Sequence, residues 1–263
     1  MTKKLRKEKK SYIFIVFLLP ALAFLILFNY VPMYGILIAW QDFIPGDSIL
    51  SVNAAWIGWA NFERFFTNPN FWQLMGNTFF LCIWGFLAGF PLPVVVALLL
   101  NSAVNKRLAK AMQTIFNVPH FISLVVMVGM LYLFFGTYGL VNNILEAMEA
   151  GRYSFFLEPK AFRPLYILSG VWQDFGWSAI IYLAALSGVD PALHEAAVID
   201  GATRFKRVLH IDFPAIFPTV SVLLILAIGG LMGVGYEKVL LMQTTANLET
   251  SEIIATYVYK QGL

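Results

Sequence analysis

Charge is absent from several long stretches of this sequence, and that constrains the fold more than any motif does. No residue between 217 and 235 is charged. At about 1.5 Å per residue a helix of that length covers about 28 Å, close to the ~30 Å hydrocarbon core of a bilayer. In hydrocarbon a backbone must satisfy its own N–H and C=O groups, which an uninterrupted helix does. Charged residues make up 13 % of the 263, against about 25 % in a soluble domain, and they collect between the apolar runs. The mean hydropathy is +0.73. These features predict an all-α fold, a polytopic bundle of membrane helices.

Five spans are predicted, at roughly 12–39, 72–100, 112–135, 165–186 and 217–235. The first is too long for the 7–15-residue core of a cleavable signal and reads as a retained span. Lys and Arg in the connections predict the orientation. The tail 1–11 has six (Lys3, Lys4, Arg6, Lys7, Lys9, Lys10), the connection after the second span three (Lys106, Arg107, Lys110), and that before the fifth another three (Arg204, Lys206, Arg207). This places twelve of the eighteen on one side, with the N-terminus in the cytoplasm. Residues 236–263 then fall outside with no further apolar run, and a sixth span is expected beyond the chain end. The organisation expected is a basic tail (1–11), a first span with an outer interfacial loop (12–71), and a transmembrane domain (72–263).

Glycines recur at small-xxx-small spacing, Gly85 with Gly89 and Gly229 with Gly233, which lets helices approach closely in lipid. Pro20, Pro32, Pro91, Pro93, Pro119 and Pro218 are candidate kink sites. Asn61-Phe62-Glu63-Arg64-Phe65-Phe66, flanked by Trp56, Trp59 and Trp72, reads as an interfacial helix with an aromatic belt. Val141, Ile144, Leu145 and Met148 recur at helical spacing and suggest a second.

Several chemistries have no support. No Gly-x-x-x-x-Gly-Lys-Ser/Thr loop exists to cradle nucleotide phosphates, and no glycine is followed by lysine. There is no His-Glu-x-x-His pair, and Cys82 is the single cysteine, so metal ligation and an internal disulfide lack their residues. His120, His194 and His210 are scattered near helix ends. The basic residues serve topology and form no aromatic-interleaved patch for nucleic acid. The chain is not expected to be an enzyme by itself.

Two polar features remain. Residues 190–201 form a charged island between apolar runs: Asp190 followed by Pro191 predicts a helix N-terminus, and Gly201 a left-handed stop. Inside the fourth span, Trp172-Gln173-Asp174-Phe175-Gly176-Trp177 carries the one acidic residue well within a span, read as lying toward its outer half. Such a residue is a functional candidate by default. Indoles stack on sugar rings while amide and carboxylate groups bond hydroxyls. Trp172, Gln173, Asp174 and Trp177 are therefore candidates for a carbohydrate path, with Asn77, Trp84, Asn117 and Ser123 as weaker members that read first as structural glue between helices. Hydrogen bonding of Asp174 and Gln173 to a neighbouring helix is the equal alternative.

Glu195-Ala196-Ala197, three residues, Gly201, nine residues, Ile211, one residue and Phe213-Pro214 resemble the EAA signature of permease subunits in binding-protein-dependent ABC importers, with Phe213 where leucine is usual. Trp59-Ala60-Asn61-Phe62, Asn77-Thr78, Tyr138-Gly139-Leu140-Val141-Asn142 and Asp200-Gly201-Ala202 resemble the type I sugar-importer branch. The ending, Glu249-Thr250-Ser251 to Thr256-Tyr257-Val258-Tyr259, is similar to the group importing polysaccharide-derived oligosaccharides. The resemblance implies that 190–201 is a coupling helix docking on a separate ATPase subunit, with Leu193, Glu195, Ala196, Ala197, Asp200, Gly201 and Arg204 at or beside the contact. It implies a second permease subunit, an ATPase dimer that holds ATP and magnesium, an extracytoplasmic sugar-binding protein, a carbohydrate substrate and a bacterial plasma membrane. No cofactor is expected in this chain. A non-sugar solute, or a stand-alone secondary transporter, is the alternative; the latter calls for more intramembrane carboxylates and an internal repeat.

Overall fold

The computed structural model of the chain describes residues 15–44 and 55–262. The basic tail 1–11 lies outside the described residues. Among the described residues the secondary structure is helical, apart from one isolated antiparallel bridge between Gln41 and Trp56. The chain divides into two compact units between Phe71 and Trp72.

In the first unit, α1 (Ile15–Trp40) is long and apolar enough to cross a bilayer, and its side chains from 15 to 34 are exposed. It has a wide π turn at Ile26–Tyr30, two residues before Pro32. A proline ring clashes with the carbonyl four residues back, here that of Phe28, and a wide turn absorbs the clash. The expected interfacial helix is α2 (Ala60–Phe66). Asn61 Nδ2 donates to the carbonyls of Ala39 and Gln41 at 3.2 and 2.9 Å, which ties α2 to the end of α1. The rings of Trp40, Trp59 and Phe62 lie 4.8–6.1 Å apart. Of the three tryptophans expected to flank this helix, Trp59 is the one in the cluster.

In the second unit, α3 (Phe71–Gly89) and α4 (Pro91–Ser102) form one apolar stretch, with Pro91 opening α4. The expected span at 112–135 is corrected. Residues 106–117 form a separate amphipathic helix, α5 (Lys106–Asn117), followed by a 3-10 turn (Val118–Phe121) and only then by α6 (Leu124–Phe135). The cause is local. Asn105 Oδ1 accepts from the Arg107 and Leu108 amides at 3.0 and 3.1 Å, starting α5 where its basic residues begin. Pro119 lacks the N–H that would continue the helix, and Ser123 Oγ caps α6 through the Val126 amide. Outside the gap at 136–139, α7 (Leu140–Ala147) is the second expected amphipathic helix.

The hub is α8 (Pro159–Leu186). It is followed by α9 (Pro191–Ile199), set at 77° to it, and by α10 (Arg204–Gly229), which has a π turn at Val208–Asp212. Pro214 stands two residues past that turn, as Pro32 does in α1, and its ring would meet the His210 carbonyl in a regular helix. Two apolar clusters flank α8. Toward its N-terminal half lie Leu81, Met127, Phe162, Val239, Met242 and Ile253. Toward its C-terminal half lie Val94, Ala97, Ala179, Tyr182, Leu186 and Ile216. In lipid such contacts gain from close packing rather than from expulsion of water.

The segment after Gly235, in which the sequence shows no further apolar run, is packed. It forms α11 (Tyr236–Met242), α12 (Leu248–Ser251) and α13 (Ile254–Gly262). Val239, Met242 and Ile253 are fully buried. Polar side chains hold its backbone: Asn77 Nδ2 donates to the carbonyls of Glu249 and Glu252, both at 2.9 Å, and Asn247 Nδ2 donates to that of Phe156 at 3.0 Å. The hydropathy pattern missed this because the segment is tied down by amide-to-carbonyl bonds, which no apolar periodicity encodes.

Helix α8 packs against α4, α5, α10, α11 and α12. At Gly176 an added Cβ would overlap the Phe116 carbonyl of α5, so the two backbones are in close contact there. The expected close pairs are not used in this way within the chain. Gly85 and Gly229 have nothing within 4 Å of a Cβ position, and Gly89 has only Val171 at 3.9 Å.

Candidate functional site

Two polar features are associated with α8, one just beyond its C-terminal end and one along its middle. The first is the island. Asp190 Oδ1 accepts from the Ala192 amide at 2.9 Å, so the predicted N-cap forms, with Pro191 as first helical residue. At the other end the Ala202 amide donates to the Ala197 carbonyl at 2.9 Å and Gly201 to Val198 at 3.1 Å. Gly201 has φ +74°. This is the Schellman stop that a glycine one past the helix permits. The result is a short rigid helix joined to α8 by a sharp elbow.

Helix α9 is mostly exposed. Leu193, Glu195, Ala196, Asp200 and Gly201 are all open to solvent, and Ile199 is 86 % exposed. The helix thus displays apolar side chains on either side of Glu195. Ala197 is half-buried, one turn after His194. Arg204 is exposed, in the first turn of α10 after the Thr203 cap.

Beneath α9 is a polar cavity of about 530 Å³. Its walls include Lys106, Arg204 and Arg207 as cations and Glu195 and Asp212 as carboxylates. His194 Nε2 lies 3.2 Å from Asp212 Oδ1, and Asn101 Nδ2 donates to the same oxygen at 3.2 Å. The Asp212 side chain is 3 % exposed.

The second feature is a cavity of about 700 Å³ along α8. It is floored by Tyr166, Gly170, Gln173 and Asp174 and closed by Phe86 and Lys238. A second space of about 410 Å³, lined by Trp177, Ile181 and Tyr182, shares Gly89, Phe90, Ser178 and Ala227 with it. At about 100° per residue, Tyr166, Gly170, Gln173, Asp174, Trp177 and Ile181 fall on one face of α8. Small residues (Gly85, Gly89, Gly170, Gly235) leave the room.

The structure divides the sequence candidates. Gln173, Asp174 and Trp177 come together, and Gln173 Nε2 donates to the Ile122 carbonyl at 2.9 Å. Asp174 is midway along α8, not toward one end. His120, which sequence reasoning left aside as a helix-end histidine, joins them. Its Nδ1 is 3.0 Å from Asp174 Oδ1, and its ring is stacked on Trp177 at 4.6 Å and 6°. The signal for it was Pro119, which breaks the helix and turns His120 toward α8.

The structure does not bring the other candidates to these two cavities. Trp172 is about 100° or more around α8 from the rest. It lines a separate apolar recess with Met127, Leu131 and Leu168. Trp84 is 52 % exposed beside Phe80 and lines neither cavity. Asn77 is 2 % exposed and is consumed by the tail segment and by Arg163 NH2, which donates to its Oδ1 at 2.8 Å.

Lys238, one of the basic residues outside the twelve assigned to the cytoplasmic side, is 8 % exposed. Its Nζ donates to the Tyr166 carbonyl at 2.8 Å and stands 4.6 Å from the Tyr166 ring centroid. A lysine opening the apolar run 239–242 was the available signal. No group of three His, Cys, Asp or Glu able to hold a metal occurs among the described residues.

Residues 89–236 match the family described as binding-protein-dependent transport system inner membrane component. The chain is 42 % identical to the Bacillus subtilis polygalacturonan/rhamnogalacturonan transport system permease protein YteP, over 99 % of this chain and 80 % of the relative. It is 38 % identical to B. subtilis protein LplB, over 98 % and 80 %. A crystal structure of a bacterial ABC transporter involved in the import of the acidic polysaccharide alginate superposes with a TM-score of 0.88 and 37 % identity. That match covers 99 % of this chain and 87 % of the other.

Proposed function

This chain belongs to the inner-membrane components of binding-protein-dependent transport systems, and on that premise we propose that it is a permease subunit passing oligosaccharides from an external binding protein across the membrane, driven by a separate ATPase. The island end of α8 faces the cytoplasm in this reading, and the N-terminus lies on the same side. Twelve of eighteen basic residues on that side support the orientation.

The observation that carries the mechanism is α9, a capped helix at 77° to α8 with an exposed apolar face. Leu193, Ala196 and Ile199 offer that face to a groove of the ATPase. Glu195 meets a cation there, Gly201 permits the sharp exit, and Asp200 and Arg204 border the contact. Closure of two ATPase subunits on ATP and magnesium would displace α9, and with it α8 and α10, around the cavities. A second permease subunit completes the path.

The support for a sugar is chemical and comparative. The α8 face offers an indole, an amide, a carboxylate and a phenol ring to hydroxyls and C–H faces. The relatives of 42 and 37 % identity serve polygalacturonan, rhamnogalacturonan and alginate. With the Lys238 ammonium in the wall, uronate-bearing chains are the ones to try first.

The test is uptake by the assembled importer. Glu195→Ala and Gly201→Asp should abolish ATP-driven uptake, and unchanged uptake in both would sink the coupling assignment. Trp177→Ala and Asp174→Ala should alter uptake or substrate choice while the ATPase stays bound. No effect from either would remove the sugar path and leave the coupling assignment standing.

A further inference from the structure

The exposed side of α9 accounts for docking, but docking alone moves nothing unless the helix is also fastened to the spans. Its other side supplies one polar fastening. His194 is the half-buried polar side chain of α9, and its Nε2 is 3.2 Å from Asp212 Oδ1. Asp212 closes the π turn of α10 and is buried. Asn101, in the last turn of α4, donates to the same oxygen. One carboxylate oxygen therefore joins three helices: α9, α10 and α4.

We propose that the His194–Asp212–Asn101 contact is the joint through which displacement of α9 is carried into α4 and α10. The inference rests on α9 being the coupling helix. Three physical points support it. A buried carboxylate is costly to strip of its partners, so the three helices move together rather than separate. The π turn inserts one residue, which rotates the following helix face by about 100° and turns Asp212 inward. Pro214, two residues past the turn, favours it, because the wide turn relieves the clash of its ring with the His210 carbonyl. Finally, α4 and α10 both line the second cavity, through Pro93, Leu223 and Ala227, so a pull at Asp212 and Asn101 reaches the path. His194 is thus a positioning residue that touches neither ATP nor sugar.

The test uses the whole importer, with Ser178→Cys in a Cys82→Ser background as reporter, because Ser178 lines both cavities. The readout is the nucleotide-dependent change in its reaction rate with a charged thiol reagent, measured beside ATP hydrolysis and the amount of ATPase that co-purifies. His194→Phe keeps the ring volume and removes the nitrogen. It should keep the ATPase bound and hydrolysing while the nucleotide response at position 178 falls about tenfold, within the usual range of site-to-site coupling. Asp212→Ala, which breaks the contact from the other side, should do the same. His194→Gln, whose amide nitrogen falls near the place of Nε2, should restore the response.

An unchanged response in both His194→Phe and Asp212→Ala overturns the joint. So does loss of the ATPase in His194→Phe, which would make His194 part of the docking face. Leu193→Asp with Glu195→Lys separates the two levels. Release of the ATPase there upholds the coupling assignment, whereas an ATPase still bound with a normal response overturns that assignment and the joint with it.

Discussion

Gly176 of α8 rests directly against the backbone of Phe116 in α5, so close that no Cβ fits between them. The Phe116 and Phe175 rings pack beside the contact, 5.1 Å apart. The same approach brings His120, four residues past Phe116, to Asp174. The packing of a single glycine thus sets the geometry of the polar cluster.

Gly176→Ala should therefore be disruptive out of proportion to one methyl group. The obstructing atoms are backbone and cannot swing aside, so a loss of about 1–3 kcal/mol is expected from overpacking. Thermal unfolding of the purified complex measures it. Gly89→Ala is the control, because its Cβ would meet only Val171 at an ordinary 3.9 Å, and it should leave the melting temperature nearly unchanged.

Asn77→Ala should act on stability and not on selectivity. It would strip the Glu249 and Glu252 carbonyls of their donor and leave the Arg163 guanidinium without its amide partner. Each unsatisfied buried polar group costs about 1–3 kcal/mol. Proteolysis should open the 236–262 segment first. A change in sugar preference with normal stability would contradict the structural assignment.

Gly201 sits at φ +74°, a region that costs an L-residue about 1–2 kcal/mol. Gly201→Ala should weaken retention of the ATPase, and Gly201→Asn should weaken it less, because asparagine tolerates this conformation. Co-purification of the two variants side by side reads the order. Equal retention would show that the exit turn is not strained.

Lys238→Met should preserve folding, since methionine fills the lysine stem's volume and removes a buried charge whose partners are one carbonyl and one ring. If Lys238 meets uronates, the variant loses a charge-assisted bond of about 1.5–3 kcal/mol, which is about ten- to a hundredfold. Competition between a galacturonate trisaccharide and a neutral trisaccharide for uptake checks this. An equal loss for both would remove Lys238 from substrate recognition.

The island was legible because everything that shapes it is local. Asp190, Pro191 and Gly201 act on their own backbone within a few residues, so caps, helix and stop could be read directly. The membrane class was legible for a similar reason, since the bilayer imposes one length on every run. The path was only half legible. Gln173, Asp174 and Trp177 share a face by simple helical arithmetic, whereas Trp172 differs from them by its angle alone. Asn77 has the chemistry of a sugar ligand but spends it on Glu249 and Glu252.

By itself, then, the sequence determined an all-α membrane bundle, the form of the 190–201 helix and the family to which its spaced residues belong. These follow from periodicity, charge exclusion and short-range capping. Only the tertiary structure decided that His120 reaches Asp174, that Lys238 is buried against Tyr166, that 236–262 folds back, and that His194 and Asn101 both meet Asp212. Those pairs are separated by between 18 and 111 residues along the chain, and what joins them is helix packing and hydrogen-bond satisfaction at a distance, which local pattern does not carry.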